Sequence, residues 1–173
     1  QRANELCQVA LHIAEKECRR AVDTYKRSQK NAKSVAPPAV MNAVSYATVD
    51  LSAALSALAA IRTEQGAGAE AERHLRRRVN VLTKGDLASV LATFAPVRLE
   101  LVEALRGLGG HLQTLYAQTL PAGQEGIEMQ EEIERLMKQA DELERSRCAP
   151  SSVFPDVEAP ALDGQAEESS EAT

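Results

Sequence analysis

Histidine and cysteine are the side chains best suited to metal binding, acid–base catalysis and nucleophilic attack, and the chain has three of each. They are His12, His74, His111, Cys7, Cys18 and Cys148. The histidines fall in separate segments, and no Cys-x-x-Cys, His-Glu-x-x-His, Glu-x-x-His or phosphate-binding glycine motif is present. The sequence therefore predicts neither a catalytic nor a metal site, and it predicts no cofactor. We expect a protein that is not an enzyme.

Two clusters of basic residues could bind an anionic ligand. The first consists of Lys26, Arg27, Lys30 and Lys33, and the second of Arg73, Arg76, Arg77 and Arg78. One interpretation is contact with an anionic membrane surface or an acidic protein, and the other is an ordinary solvated helix face. No aromatic side chains are interleaved with either cluster, which disfavours binding to nucleic acid.

The elements that carry these residues are predicted to be helices. Alanine, leucine, glutamate and arginine are the most frequent residues of the chain, and aromatic residues make up only 3%. Apolar residues recur at alternating steps of three and four, which is typical of packed helices. The pattern predicts helices at about 3–35, 37–62, 69–82, 86–118 and 128–147. Pro96 should kink the fourth helix or split it in two. These would form one elongated antiparallel bundle over 1–147, with coiled-coil-like packing.

The first and fifth predicted helices carry the apolar stripes that another chain could cover. The candidate partner-binding residues on them are Leu11, Cys18 and Tyr25, and Ile133, Leu136 and Leu143. Leu6, Val9, Ala10 and Ile13 widen the first stripe at its start. The competing interpretation is that all five stripes meet in the core of the bundle itself.

Residues 148–173 form a different kind of segment, with three prolines, six acidic residues and no lysine or arginine. This composition predicts a disordered acidic tail. Without it the balance changes from 20 − 25 = −5 to 20 − 19 = +1, so the remaining chain is nearly neutral.

The cellular location follows from what the sequence lacks. An odd number of cysteines without paired spacing favours a reducing compartment, and no signal peptide or apolar run of about 20 residues stands out. We expect an intracellular, cytoplasmic protein that is neither secreted nor transmembrane. Because the chain starts at Gln1 within a helical pattern, we interpret it as a fragment or a processed chain.

Together these features predict a non-catalytic scaffold, adaptor or complex subunit that binds another protein helix through apolar helix faces, in a hetero-complex or a homodimer. The alternative is a peripheral membrane module, similar in idea to BAR domains, that uses the basic clusters. The resemblance to such helical modules rests only on heptad spacing and small residues, so it does not identify a family.

Overall fold

The computed structural model describes residues 2–31, 36–83, 94–119 and 123–148. These residues form five helices and no strand: α1 (Arg2–Asn31), α2 (Pro38–Glu64), α3 (Gly68–Thr83), α4 (Ala95–Thr119) and α5 (Gln124–Cys148). The all-α prediction is confirmed. The predicted acidic tail lies outside the described residues, apart from Cys148, which ends α5.

Prolines mark the beginnings of two helices. Pro38 is the first residue of α2, where its missing N–H leaves no hydrogen bond unmade, and the Pro37 carbonyl accepts a bond from the Val40 N–H at 2.9 Å. Pro96 lies in the first turn of α4, because the Phe94 carbonyl accepts the first helical bond, from the Arg98 N–H at 3.0 Å. A kink at Pro96 inside one continuous helix is therefore wrong. Residues 84–93 lie outside the described part of the chain.

Successive helices run antiparallel, because contacts near the start of one helix fall near the end of the next. Tyr25 shares a core cluster with Val44, whereas the earlier Ala14 shares one with the later Leu55. The turn at 65–67 reverses the chain between α2 and α3. Helices α3 and α4 are antiparallel because Gly68 lies beside His111 and Arg78 beside Glu100. Helices α4 and α5 are antiparallel because Arg98 lies beside Ser146 and Gly109 beside Met137.

Helices α2, α3 and α4 pack against one another, while α1 packs mainly on α2 and α5 mainly on α4. Helix α5 packs on α4, and the cluster there includes Leu105, Leu108, Leu112, Leu136 and Ala140. Helix α1 packs almost entirely on α2, around Leu51 and Leu55 at one level and Val44 at another. Because so little else touches α1, most of its circumference remains outside the core.

Helix α2 is long and apolar enough, by length and composition alone, to cross a membrane, with a mean hydropathy of 1.5 over its most apolar window. This property was not anticipated from the sequence because Asp50 and several serines interrupt the leucines, valines and alanines of the helix, so no unbroken apolar run stands out. Half of that window is buried against the rest of the chain, and the core helix of a soluble protein meets the same criterion.

Two glycines, one inside α4 and one in the turn between α2 and α3, offer a simple test of the backbone assignment. Gly110 lies inside the helix, and an added Cβ there would meet nothing within 4 Å. We expect Gly110→Ala to raise the free energy of unfolding by about 0.5–1 kcal/mol, because alanine loses less backbone entropy than glycine. Gly66 also has open space around it, but its φ is 73°. Gly66→Ala should lower the free energy of unfolding by about 1–2 kcal/mol. Urea denaturation measures both, and equal effects of the two substitutions would contradict this assignment.

Candidate functional site

The six residues predicted to bind a partner contact the chain's own core. Leu11 and Cys18 pack against the cluster of Ala14, Leu51 and Leu55. Tyr25 is buried in the cluster that also includes Val44, Leu82 and Val97. Leu136 is buried, and Ile133 and Leu143 are half-buried, on the side of α5 that faces α4. These side chains are largely occupied within the chain. Their role in partner binding stays a prediction.

Cys18 illustrates how such a residue is used. Its thiol lies 4.0 Å from the Thr48 hydroxyl of α2, and burial raises its pKa despite that contact, which acts in the opposite direction. A thiol with a raised pKa is mostly protonated at neutral pH and is a poor nucleophile. Cys18 therefore acts as a small, half-buried packing residue between α1 and α2.

A second apolar stripe on α1 is exposed. Leu6, Val9 and Ile13 are 66%, 57% and 55% exposed, although each is a large aliphatic residue. Their spacing of three and four residues places them on one side of the helix, with the exposed Ala10 among them. Since single exposed aliphatic residues are common but such a group on one helix face is not, this stripe is a candidate binding surface.

A shallow groove between α1 and α2 borders this stripe. It measures about 430 Å³ and is lined by Ala10, Ile13, Ala14 and Glu17 on α1 and by Ala47, Asp50 and Ala54 on α2. The exposed Ala57 continues the α2 row by one further step of three. A neighbouring groove of about 380 Å³ shares Glu17 and Ala47 and continues toward Ala39. We call Leu6, Val9, Ala10, Ile13, Ala47, Ala54 and Ala57 the α1/α2 apolar surface.

Within the described segments, the other large exposed apolar residues do not form a comparable group. Tyr46, Leu99 and Ile127 lie on α2, α4 and α5, one on each helix. Tyr46 is three residues from Ala43, which lines the neighbouring groove, so it stands at the edge of that groove. Leu99 and Ile127 are on different helices from the α1/α2 apolar surface and serve below as comparison positions.

The first basic cluster lies near the end of α1, where Lys26, Arg27 and Lys30 are exposed. Lys33 lies outside the described residues. The position suits the negative end of the helix dipole, which favours cations in the last turns whether or not a ligand binds. Binding of an anionic membrane surface by this cluster stays a prediction.

The arginines of the second cluster point in different directions. Arg76 binds Glu72 and Glu132, Arg77 binds Glu15 of α1, and Arg78 is buried. Consecutive residues on a helix differ by about 100° in direction, so three adjacent arginines cannot share one face. Arg73 is exposed, whereas Arg76, Arg77 and Arg78 each form an ion pair with a carboxylate of the same chain. They do not form one basic patch.

Arg78 joins three helices through a buried polar network. Its Nε donates to Ser52 Oγ at 3.0 Å, its Nη1 to Ser56 Oγ at 3.2 Å, and its Nη2 to Glu100 Oε1 at 2.7 Å. The Ser52 hydroxyl donates to the same Glu100 oxygen at 2.6 Å. The side chains of Arg78 and Glu100 are only 8% and 15% exposed. The pairing compensates the burial of both charges and holds α2, α3 and α4 in one register.

Arg76 and Glu132 form a two-pronged bridge between α3 and α5, with hydrogen bonds of 2.6 and 2.8 Å. These bonds from Arg76 lower the pKa of Glu132, although desolvation opposes the shift. The folded state therefore binds this proton less readily than the unfolded state. The contribution of the bridge to stability is complete above the ordinary glutamate pKa of about 4.3 and is lost as the pH falls through the lower folded value.

We accordingly expect Glu132→Gln to be less stable than the parent at neutral pH and to lose less of its remaining stability on acidification. Urea unfolding midpoints at pH 7 and well below about pH 4 would show this. Glu131→Gln, at the exposed neighbouring position, is the matched control and should follow the parent. Equal acid sensitivity of Glu132→Gln and the parent would contradict the role assigned to the bridge.

The histidines stand apart from one another. His12 is exposed on α1, and the His111 ring nitrogen Nε2 lies 3.1 Å from the Gly68 carbonyl oxygen. Burial and the nearby Arg62 and Arg77 lower the pKa of His74. Among the residues that the structure describes, no group of three or more histidine, cysteine, aspartate or glutamate side chains could hold a metal ion.

Comparison with known proteins gives no family. No protein-family model matches the sequence, and neither a curated protein nor a solved structure is significantly similar to it. The α1/α2 apolar surface is thus identified from its own geometry alone.

Proposed function

We propose that this chain is a non-catalytic interaction module, a scaffold, adaptor or complex subunit, that binds an apolar helix along the α1/α2 apolar surface. The observation that carries the proposal is the exposure of Leu6, Val9 and Ile13 on one face of α1, beside a groove floored by alanines. An amphipathic helix is recognised in this way, by apolar anchors laid into an apolar groove.

The position of α1 supports this use. The opposite side of α1 already packs on α2 through Ala14, Leu11 and Cys18, so the helix is fixed in place before a partner arrives. A partner then finds an ordered surface, and less conformational entropy is lost on binding. Covering a largely exposed leucine or isoleucine contributes about 1–2 kcal/mol each. Three such residues can therefore dominate a small interface.

The groove supplies the shape for the partner. Ala47, Ala54 and Ala57 have small side chains, so a large side chain from a partner can approach the backbone of α2 between the two helices. Glu17 and Asp50 stand within the lining, and Glu17 is bound to Arg20 of its own helix. Asp50 is therefore the carboxylate positioned to select a partner with a basic residue at the edge of its apolar stripe. The partner class that fits is a helix with leucine-like anchors and flanking lysine or arginine.

The remaining features of the proposal concern the whole chain. We take the bundle to be elongated, with coiled-coil-like packing. We place the protein inside the cell, in the cytoplasm, where free thiols such as Cys7 and Cys18 persist. In this proposal the protein acts through its binding surfaces rather than through reactive side chains.

The test compares two isoleucines of equal exposure. Ile13 belongs to the α1/α2 apolar surface and Ile127 lies on α5, and each is 55% exposed. The intact tagged chain and its Ile13→Glu and Ile127→Glu variants are expressed in cells of the source organism, and co-purifying proteins are quantified by mass spectrometry. We expect at least one stoichiometric partner that Ile13→Glu loses and Ile127→Glu retains.

Circular dichroism of the purified variants separates binding from folding. Both substitutions are at exposed positions, so the helical signal and the thermal midpoint should stay close to those of the parent. If the folded Ile13→Glu variant retains every partner of the parent, the proposed surface is not the binding surface.

A further inference from the structure

We infer that the α1/α2 apolar surface is covered by α1 of a second copy of this chain, lying antiparallel across the first. This inference rests on the proposed function and names the occupant of the same surface. It follows from the arrangement of apolar and charged residues along α1.

The apolar residues match themselves when two copies of α1 run in opposite directions. With the helices crossing near Val9 and Ala10, Leu6 of each copy lies beside Ile13 of the other, and Val9 lies at the centre. Ile13 lines the groove of about 430 Å³ together with four alanines and the carboxylates Glu17 and Asp50. The Leu6 side chain, which is 66% exposed in the single chain, would enter the alanine-lined part of this groove in the other copy. One contact is thus made twice around a two-fold axis.

The charges that flank the stripe favour the same orientation. Glu5 is four residues before Val9 and Lys16 is three residues after Ile13, so each borders the apolar stripe at opposite ends. In the antiparallel arrangement Glu5 of one copy comes within about 3 Å, along the helix axis, of the level of the partner subunit's Lys16. In a parallel arrangement each Glu5 would share its level with the other Glu5 and each Lys16 with the other Lys16, so no opposite charges would meet.

Both charged residues are available for this pairing. Glu5 and Lys16 are exposed on α1, and neither forms an ion pair with another described residue. Glu17, at the next position, is already bound to Arg20 on its own helix at 2.9 Å. The self-complementary pattern therefore consists of three apolar residues between one free acid and one free base.

The small size of this interface sets the expected affinity. Three aliphatic residues per copy make a contact at the lower end of specific interfaces, so we expect a reversible dimer with a dissociation constant on the order of 10 μM. Sedimentation velocity of the intact chain, across concentrations on both sides of that value, should show the monomer converting to the dimer.

Substitutions on the apolar stripe should abolish the dimer selectively. Leu6→Glu removes two buried leucines from each symmetric dimer and places carboxylates beside Ile13, so the dissociation constant should rise at least about 100-fold. Ile127→Glu is the matched control and should leave the dissociation constant within about twofold of the parent. Circular dichroism verifies that both variants are folded.

A charge exchange tests the orientation. Glu5→Lys and Lys16→Glu each replace two attractions by two repulsions and should each raise the dissociation constant by about five- to tenfold. The double variant restores opposite charges across the antiparallel pair and should return to within about twofold of the parent. Failure of the double variant to recover would overturn the antiparallel arrangement.

Two further outcomes would overturn the inference, and they differ from a failure of the proposed function. A chain that stays monomeric at all concentrations, or a dimer that Leu6→Glu leaves intact, excludes a second copy on this surface. In either case the selective loss of another protein from Ile13→Glu would still uphold the proposed function. A dimer that Leu6→Glu disrupts, with the charge exchange recovering, supports both.

Discussion

Replacing Arg78 with alanine is expected to lower the free energy of unfolding by about 3–5 kcal/mol. The substitution leaves Glu100, whose side chain is 15% exposed, without its 2.7 Å bond to the guanidinium, and it removes one bond partner from each of Ser52 and Ser56. An uncompensated carboxylate between packed helices is far less stable than the paired one. Urea denaturation followed by circular dichroism measures the change.

The adjacent arginine is the control for this prediction. Arg77 is 47% exposed and binds only Glu15, so Arg77→Ala should lower the free energy of unfolding by no more than about 1 kcal/mol. Replacing both members of the buried pair, as in Arg78→Met with Glu100→Leu, should recover at least half of the loss, because no unpaired charge then remains. Similar effects for Arg77→Ala and Arg78→Ala would contradict the buried network.

The second large effect is expected at Leu55. This residue is completely buried, and it belongs to the cluster with Ala14 and Leu51 by which α1 packs on α2. Leu55→Ala should lower the free energy of unfolding by about 2–5 kcal/mol, from lost apolar burial and from the cavity left behind. Because α1 has hardly any other packing partner, we also expect faster hydrogen exchange in α1 than in α5 of this variant.

Leu99 provides the comparison for Leu55. It is 44% exposed on α4, so Leu99→Ala should lower the free energy of unfolding by less than about 1 kcal/mol. In the Leu99→Ala variant, hydrogen exchange of the α1 amides should match that of the parent. Equal exchange of α1 and α5 in Leu55→Ala would show that α1 is fixed by contacts other than this cluster.

The helices could be predicted from the sequence because their signals are local. Three- and four-residue spacing of apolar residues, and prolines beside the segment starts, lie within a single window of the chain. The sequence left open whether Pro96 kinks a helix or divides it, because the same residue can bend a helix or stand in its first turn, and the surrounding leucines continue the spacing on both sides.

The surface of α1 could be found only in part, because two apolar stripes lie side by side on that helix. Leu11 and Cys18 belong to one stripe, and Leu6, Val9 and Ile13 to the other. Periodicity reports that both are apolar, but the position of α2 decides which one is covered. That position depends on long-range packing, which a sequence window does not contain.

The two interpretations of the second basic cluster could not be separated from the sequence for a related reason. Density of charge along a sequence is visible, whereas the carboxylates that neutralise it come from distant segments: Glu15, Glu100 and Glu132. The roughly 100° turn per residue points Arg76, Arg77 and Arg78 in three different directions. Each meets a carboxylate there only because α5, α1 and α4, respectively, pack beside α3.

The most direct test of the account places a photoreactive residue within the α1/α2 apolar surface of the intact chain in cells. Benzoylphenylalanine at position 9 should give a specific crosslinked product upon irradiation, whereas the same residue at position 127, on an equally open helix face, should give none. Crosslinks from position 127 together with none from position 9 would contradict the claim that α1 is the helix through which this protein binds.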